Sequence, residues 1–199
     1  MAEAHRLIKL KVVFIGDEAV GKTSIARRYM GDAFLADYKS TIGADFYVKR
    51  ESYNIEPFGR IMFEWIIYDM AGQRRFELIR PIYYNKARAA IIVFDVSRPE
   101  TFRSVPNWIR EFWRYSGGRY PFIIIGNKID LRGKVSCLPY EYGAKYAEDL
   151  SRALGFPVPY VETSAKEGIN IEHAFASLAR TILRFYLLES RARRMQRTA

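Results

Sequence analysis

The chain is poor in the residues that usually hold metals or disulfides. Its single cysteine, Cys137, excludes an internal disulfide and a cysteine-rich zinc cluster, and its two histidines, His5 and His173, are too few and too far apart to nominate a metal site. No apolar run approaches the roughly 18 residues of a membrane span. The opening MAEAHRLIKLKVVF lacks the apolar stretch of a secretory signal. A cytoplasmic protein is therefore expected. Internal repeats and low-complexity linkers are also missing, so the 199 residues, 49% of them hydrophobic, are expected to close around one core. The formal net charge of +10 comes without a zinc finger, an RNA-reading motif or a continuous basic helix. It favours acidic partners and predicts no specific nucleic-acid binding.

What the chain does have is alternation. Apolar runs bounded by turn residues alternate with helical periodicity, the pattern of an α/β fold with a mostly parallel sheet. IKLKVVFIG reads as a first strand and the residues after Gly21 as a helix to about Met30. ADFYVKRESY and RIMFEWIIYDM, separated by a turn around Pro57 and Gly59, are too close for a parallel crossover and predict an antiparallel hairpin. AAIIVFDV and PFIIIGNK are nearly continuous apolar runs, as expected of strands buried on both faces. PVPYVETSA supplies a last strand. ETFRSVPNWIREFWRYSG predicts one helix whose Phe102, Val105, Trp108, Ile109 and Phe112 face the core. YEYGAKYAEDLSRALG predicts a second, capped by Gly155, and NIEHAFASLARTILRFYLLE a final one. Residues 188–199 show no core face and are expected to form a flexible basic tail on a domain spanning 1–187.

Four motifs carry chemistry. Gly16, Gly21, Lys22 and Thr23 satisfy G-x-x-x-x-G-K-[ST] between a strand and a helix. In that context Gly16, Asp17, Glu18, Ala19, Val20, Gly21, Lys22, Thr23 and Ser24 form a loop whose amides and lysine face phosphate, and the Thr23 hydroxyl can ligate Mg²⁺. IIYDMAGQ ends a strand in Asp69, a carboxylate placed for Mg²⁺, with Gly72 and Gln73 just beyond. IIIGNKID brings Asn127, Lys128 and Asp130 to a strand's carboxyl edge, where Asp130 offers two acceptors spaced like the N1–H and exocyclic amine of guanine. TSAK places Ser164, Ala165 and Lys166 nearby, with the Ala165 N–H available to guanine O6.

Taken in order, these motifs resemble the Ras superfamily of small GTPases over residues 7–187. IGDEAVGKTS, YKSTIGADF, DMAGQRRF, IYYNKARAAIIVFDV, GNKIDL and ETSAK look most like its Rab branch. The resemblance implies a P-loop NTPase G domain, a six-stranded sheet with one antiparallel strand, flanked by about five helices. It implies GTP and GDP as bound nucleotide, Mg²⁺ held by Thr23, Thr41 and Asp69, and an aromatic, Phe34, packed on the base. It also implies slow hydrolysis assisted by Gln73, Lys22 and Thr41. Two switch loops, 34–43 and 70–82, would meet effectors, exchange factors and GTPase-activating proteins, and the protein is expected to be a monomer.

Several residues depart from that pattern. Glu18 stands where Ras proteins have glycine, beside the γ-phosphate. Like charges 4 Å apart repel by about 4 kcal/mol at an effective dielectric of 20, so Glu18 must turn outward or be paired. Arg74 replaces the usual glutamate after the switch glutamine, which suggests a Glu18–Arg74 pair across the pocket. An alternative reading follows from the same carboxylate: a GTP-dependent scaffold with negligible hydrolysis. Tyr68 replaces a tryptophan and is expected to cluster with Phe46 and Tyr84. The final RRMQRTA lacks prenylated cysteines, so no lipid anchor is expected from it. Five arginines from Arg184 onward would each attract anionic lipid by about 1 kcal/mol near the surface. That supports only weak, peripheral membrane contact.

Overall fold

In the computed structural model, which describes residues 6–32, 41, 43–72 and 77–198, six strands form one sheet. They are β1 (Arg6–Ile15), β2 (Ala44–Ile55), β3 (Gly59–Met70), β4 (Ala89–Asp95), β5 (Phe122–Asn127) and β6 (Tyr160–Thr163). Their spatial order is β2-β3-β1-β4-β5-β6, with β2 antiparallel to β3 and every other pair parallel. The expected α/β sheet with one antiparallel strand is therefore the observed one. The helices are α1 (Lys22–Met30), α2 (Arg80–Tyr84), α3 (Pro99–Arg103), α4 (Val105–Ser116), α5 (Tyr140–Leu154) and α6 (Ile171–Thr198). A short 3₁₀ turn follows β5 at Ile129–Leu131.

All seven residues of β4 and all six of β5 are buried, which explains why their sequences do not alternate. β1 divides its side chains between two cores. Val12 and Phe14 meet α1 and α6 on one face, while Val13 and Ile15 join the core under α2, α4 and α5 on the other. Parallel strands held this way bring the ends of β1, β3, β4 and β5 to one edge. That edge carries the site.

Three elements differ from the sequence expectation. The single helix over 100–117 is two, α3 and α4, meeting at Ser104. Pro106 has no N–H to donate back into the preceding turn, so the helix restarts there, and counting the pair as one gives the five helices expected. α2 begins inside the segment 70–82 expected as a loop and runs on to Tyr84. Finally, α6 runs on through the residues expected as a flexible tail. Beyond the core it is an exposed helix carrying an i,i+4 pair, Arg193 to Glu189 at 2.8 Å.

α1, which begins at Lys22, is fixed by its buried face of Ile25, Ala26 and Tyr29. Each large side chain of this kind contributes about 1.5–3 kcal/mol by leaving water. Gly31, at φ 100°, ends the helix and donates to the Arg28 carbonyl at 3.1 Å. The Tyr29 ring stacks on Phe175 of α6, and its hydroxyl lies 2.8 Å from that of Tyr53, which also accepts from Trp65 Nε1 at 3.1 Å. Tyr29→Phe keeps the stacking and removes one buried hydrogen bond. A loss of about 1 kcal/mol is expected, read as a melting temperature about 2–4 °C lower.

Candidate functional site

The phosphate loop is shaped by two close approaches. Gly16 has φ 139°, and a Cβ there would lie 2.1 Å from the Val93 carbonyl oxygen. Gly21 has φ 100°, and a Cβ there would lie 2.2 Å from Asn127 Nδ2. Neither position accepts a side chain. α1 then starts at Lys22 with no side-chain cap and no acidic residue in its first turn, which leaves its amide donors and positive dipole end to an anion.

Lys22 is buried, and its Nζ donates to the carbonyls of Gly16 and Asp17, each at 2.8 Å. Two of its three ammonium protons are thus used and one remains for a phosphate. Burial lowers its pKa to about 8, against the pull of Asp69 and Asp17. A bound polyphosphate would supply the negative charge that this ammonium lacks.

Beside it stand the oxygens proposed for Mg²⁺. Asp69, at the end of β3, has no exposed surface; the Thr23 hydroxyl donates to its Oδ2 and lies 2.9 Å from the Thr41 hydroxyl oxygen. Asp69 Oδ1 is buried without a hydrogen-bond partner. Burial raises the Asp69 pKa to about 6, opposed by the Thr23 hydrogen bond and by Lys22. An orphaned carboxylate oxygen next to two hydroxyls is a hard oxygen set, and it fits Mg²⁺, which prefers such donors and retains water for the rest. Among the described residues no group of three or more His, Cys, Asp or Glu offers another metal site.

The motifs expected to read the base are tied to the same loop. Asn127, at the end of β5, donates from Nδ2 to the Val20 carbonyl at 2.9 Å. Its Oδ1 accepts from the Thr163 hydroxyl at 3.0 Å and the Ala165 N–H at 3.2 Å. Asn127 therefore faces protein rather than open space, and the Ala165 N–H expected for guanine O6 is turned onto it. Asp130 accepts the Ser164 hydroxyl on Oδ1 at 2.6 Å, while Lys128, at φ 71°, reaches buried Asp95 at 2.7 Å. Burial would raise the Asp95 pKa, but hydrogen bonds from Lys128 and Ser97 prevail and hold it below the usual carboxylate range. The Lys166 carbonyl accepts from Arg28 Nη2 at 2.8 Å.

Other sequence-predicted residues sort as follows. Ala19 has φ 61°, Val20 is fully buried, and Ser24 lies half-buried on α1. Gly72 lies against the phosphate loop: a Cβ on it would fall 2.4 Å from the Gly16 carbonyl oxygen and 2.6 Å from the Asp17 carbonyl carbon. Glu18 is exposed, and its backbone carbonyl accepts from Arg98 Nη2 at 2.7 Å. Phe34, Gln73 and Arg74 lie outside the described residues. The aromatic cluster is not the one expected. Tyr68 meets Phe46 at 6.1 Å and Tyr83 at 6.5 Å between ring centroids, whereas Tyr84 is buried against Phe112 and donates to Glu111 at 2.8 Å. Adjacent tyrosines on a helix point in different directions, and the one facing Tyr68 is Tyr83.

Three contributors escape the sequence pattern. Asp95 and Arg98 link Lys128 to the phosphate loop, and Trp108, read as core, donates its indole N–H to Asp17 Oδ1 at 2.7 Å. Helical periodicity shows which face a tryptophan presents and not where its one polar atom goes.

Comparison with known proteins agrees with this geometry. The Ras family model matches residues 11–184. The Ras-related protein Rab7 of Pisum sativum is 38% identical over 185 residues, covering 91% of this chain and 85% of that protein. The Rab7 of Drosophila melanogaster is 36% identical over 178 residues, 87% of this chain and 80% of its own length. The GTP-binding protein YPTC5 of Chlamydomonas reinhardtii is 38% identical over 179 residues, 88% and 82% of the two chains.

Proposed function

The chain belongs to the Ras superfamily of small GTPases, in its Rab branch, and from that premise we propose how its own residues run the switch. It binds GTP and GDP, hydrolyses GTP to GDP and phosphate, and engages effectors and regulators. The scaffold without hydrolysis is the less favoured reading. One observation carries the residue assignment: Thr23, Thr41 and Asp69 converge beside a buried lysine at the uncapped start of α1.

Residues 16–24 hold the polyphosphate, with the third Lys22 proton directed at it. Thr23, Thr41 and Asp69 hold Mg²⁺, which when bound would neutralise phosphate charge. The Thr41 hydroxyl rests on that of Thr23, so a change at the nucleotide is felt in the first switch. Gln73 orients the attacking water, and Phe34 packs on the base. Asn127 holds the phosphate loop against the loop after β6, and Asp130 reads guanine with Ser164 holding one of its oxygens.

Partners meet residues 34–43 and 70–82. The second of these carries exposed Leu78, Ile79 and Ile82, and β2 adds exposed Phe46, apolar surface that a protein partner would cover. The protein works as a monomer, membrane trafficking is its proposed setting, and residues 188–199 extend the 1–187 domain as a basic segment for weak contact with anionic membranes. Among the described residues no helix is long and apolar enough to cross a membrane.

Asp130→Asn tests the base assignment. It replaces one of two acceptors by a donor, which opposes the guanine amine and matches the carbonyl that xanthine carries there. GTP affinity is expected to fall by about 10–100-fold while xanthosine triphosphate gains, read by competition against fluorescent GDP. Unchanged preference for GTP would place guanine recognition elsewhere.

A further inference from the structure

The phosphate loop and the second-switch helix meet through one side chain. Trp108, on α4, donates its indole N–H to Asp17 Oδ1 at 2.7 Å, and its ring lies beneath the Arg80 guanidinium, 4.8 Å from ring centroid to Cζ. Arg80 opens α2 and is itself buried. It clasps Glu111 with two hydrogen bonds, Nε to Oε1 at 2.6 Å and Nη2 to Oε2 at 2.9 Å, and Tyr84 at the far end of α2 donates to the same Oε1 at 2.8 Å. Burial works against the guanidinium charge, but the Glu111 bonds prevail and its pKa is raised. The five residues of α2 are thus held at both ends on α4, over the tryptophan that holds Asp17.

Asp17 is a junction on the loop side. Its backbone carbonyl accepts from Lys22 Nζ at 2.8 Å, and its carbonyl carbon is what a Cβ on Gly72 would strike at 2.6 Å. A carboxylate in a loop that binds polyanions must be drawn away from them, and the Trp108 N–H does so from the α4 side. The hydrogen bond is charge-assisted and partly buried, the class whose loss costs most.

We propose that Trp108 is a positioning residue that ties α2 to the phosphate loop, so that a partner which lifts Arg80 from α4 loosens Asp17 and speeds nucleotide release. The coupling runs through Arg80, Trp108 and Asp17, and it needs no contact between the partner and the nucleotide. It rests on the phosphate loop binding GDP. Trp108→Phe is the sharp variant, because it keeps an aromatic face beneath Arg80 and removes the donor.

Release of fluorescent GDP should be about 10-fold faster in Trp108→Phe than in the wild type. Asp17→Asn added to Trp108→Phe should change the rate less than about twofold further, the non-additivity of a shared contact. Arg80→Ala should speed release as well, and should do so less in the Trp108→Phe background. A general loss of packing would lower melting temperature without that pattern. Release within about twofold of wild type in Trp108→Phe, or rates that multiply in the double variants, would overturn the proposal. Hydrogen exchange separates this from failure of nucleotide binding. In nucleotide-free protein Asp17→Ala, which removes the acceptor, should still raise exchange at the amides of residues 82–84, and unchanged exchange there also contradicts the coupling.

Discussion

Asn127→Ala is expected to remove about 3–5 kcal/mol of stability together with tight nucleotide binding. The Asn127 side chain satisfies three partners at once, the Val20 carbonyl, the Thr163 hydroxyl and the Ala165 N–H, and its residue is 1% exposed. Alanine leaves those groups in a dry interior, each at a cost of about 1–3 kcal/mol where water cannot enter. It also opens a gap against Gly21, whose Cα approaches the amide so closely that no side chain fits between them. The phosphate loop then loses its tie to the loop after β6. Thermal unfolding with and without excess GDP separates the effects: the variant should melt lower in both conditions, and the stabilisation by GDP should shrink as its affinity falls. A melting temperature within about 2 °C of wild type would show that water or relaxation replaces the clip.

Asp69→Asn should push two properties in opposite directions. The wild-type carboxylate is buried, and its Oδ1 has no hydrogen-bond partner within the protein. A pKa raised from 3.8 to about 6 means that ionising Asp69 in the folded state costs on the order of 3 kcal/mol at neutral pH. The folded protein binds the proton more tightly than the unfolded chain. Its stability advantage is therefore present below about pH 4, is lost as pH rises through about 6, and stays lost above. In EDTA, wild-type melting temperature should fall across that window, and Asp69→Asn should lack the fall and melt higher at about pH 7.5. With GDP and Mg²⁺ the order reverses, because the neutral amide is a poorer ligand. The Mg²⁺ concentration needed to retain GDP should rise by about 100-fold, in the range that disturbed metal shells show. Equal Mg²⁺ requirements in the two proteins would remove Asp69 from the metal site.

The parts of this molecule visible in the sequence are those where burial leaves a one-dimensional trace. β4 and β5 are covered on both faces and read as unbroken apolar runs, and the antiparallel pairing of β2 with β3 follows from a connection too short for a crossover. The phosphate loop is legible because Gly16 and Gly21 are each required by a neighbour's backbone or amide at a fixed spacing. Other features leave no such trace. Tyr83 and Tyr84 are chemically identical neighbours, and only the docking of α2 on α4 decides which joins Tyr68. Trp108 fits a core stripe so well that its bond to Asp17, 91 positions away, is invisible. The continuation of α6 to Thr198 needs no core face, since local pairs such as Glu189 with Arg193 suffice on an exposed helix. Arg80 looks like one more charge in a basic chain, yet it is buried and clasped.

Glu18 is where the residues and the family pattern pull apart. Its side chain is exposed, and Arg98 holds its backbone carbonyl from the α3 side. The proposed pairing with Arg74 is open to a double-mutant cycle of Glu18→Gly with Arg74→Glu, in which absence of coupling in hydrolysis would dismiss it. Intrinsic and assisted turnover need not respond alike.

Single-turnover hydrolysis of GTP pre-bound to the purified protein, beside Gln73→Leu and Glu18→Gly, tests the central claim most directly. A working switch predicts slow conversion of bound GTP to GDP in the wild type, nearly abolished in Gln73→Leu and unchanged or faster in Glu18→Gly. Bound GTP that stays intact in the wild type and is hydrolysed only in Glu18→Gly would contradict it, and would make Glu18 the residue that holds the protein in its GTP-bound form.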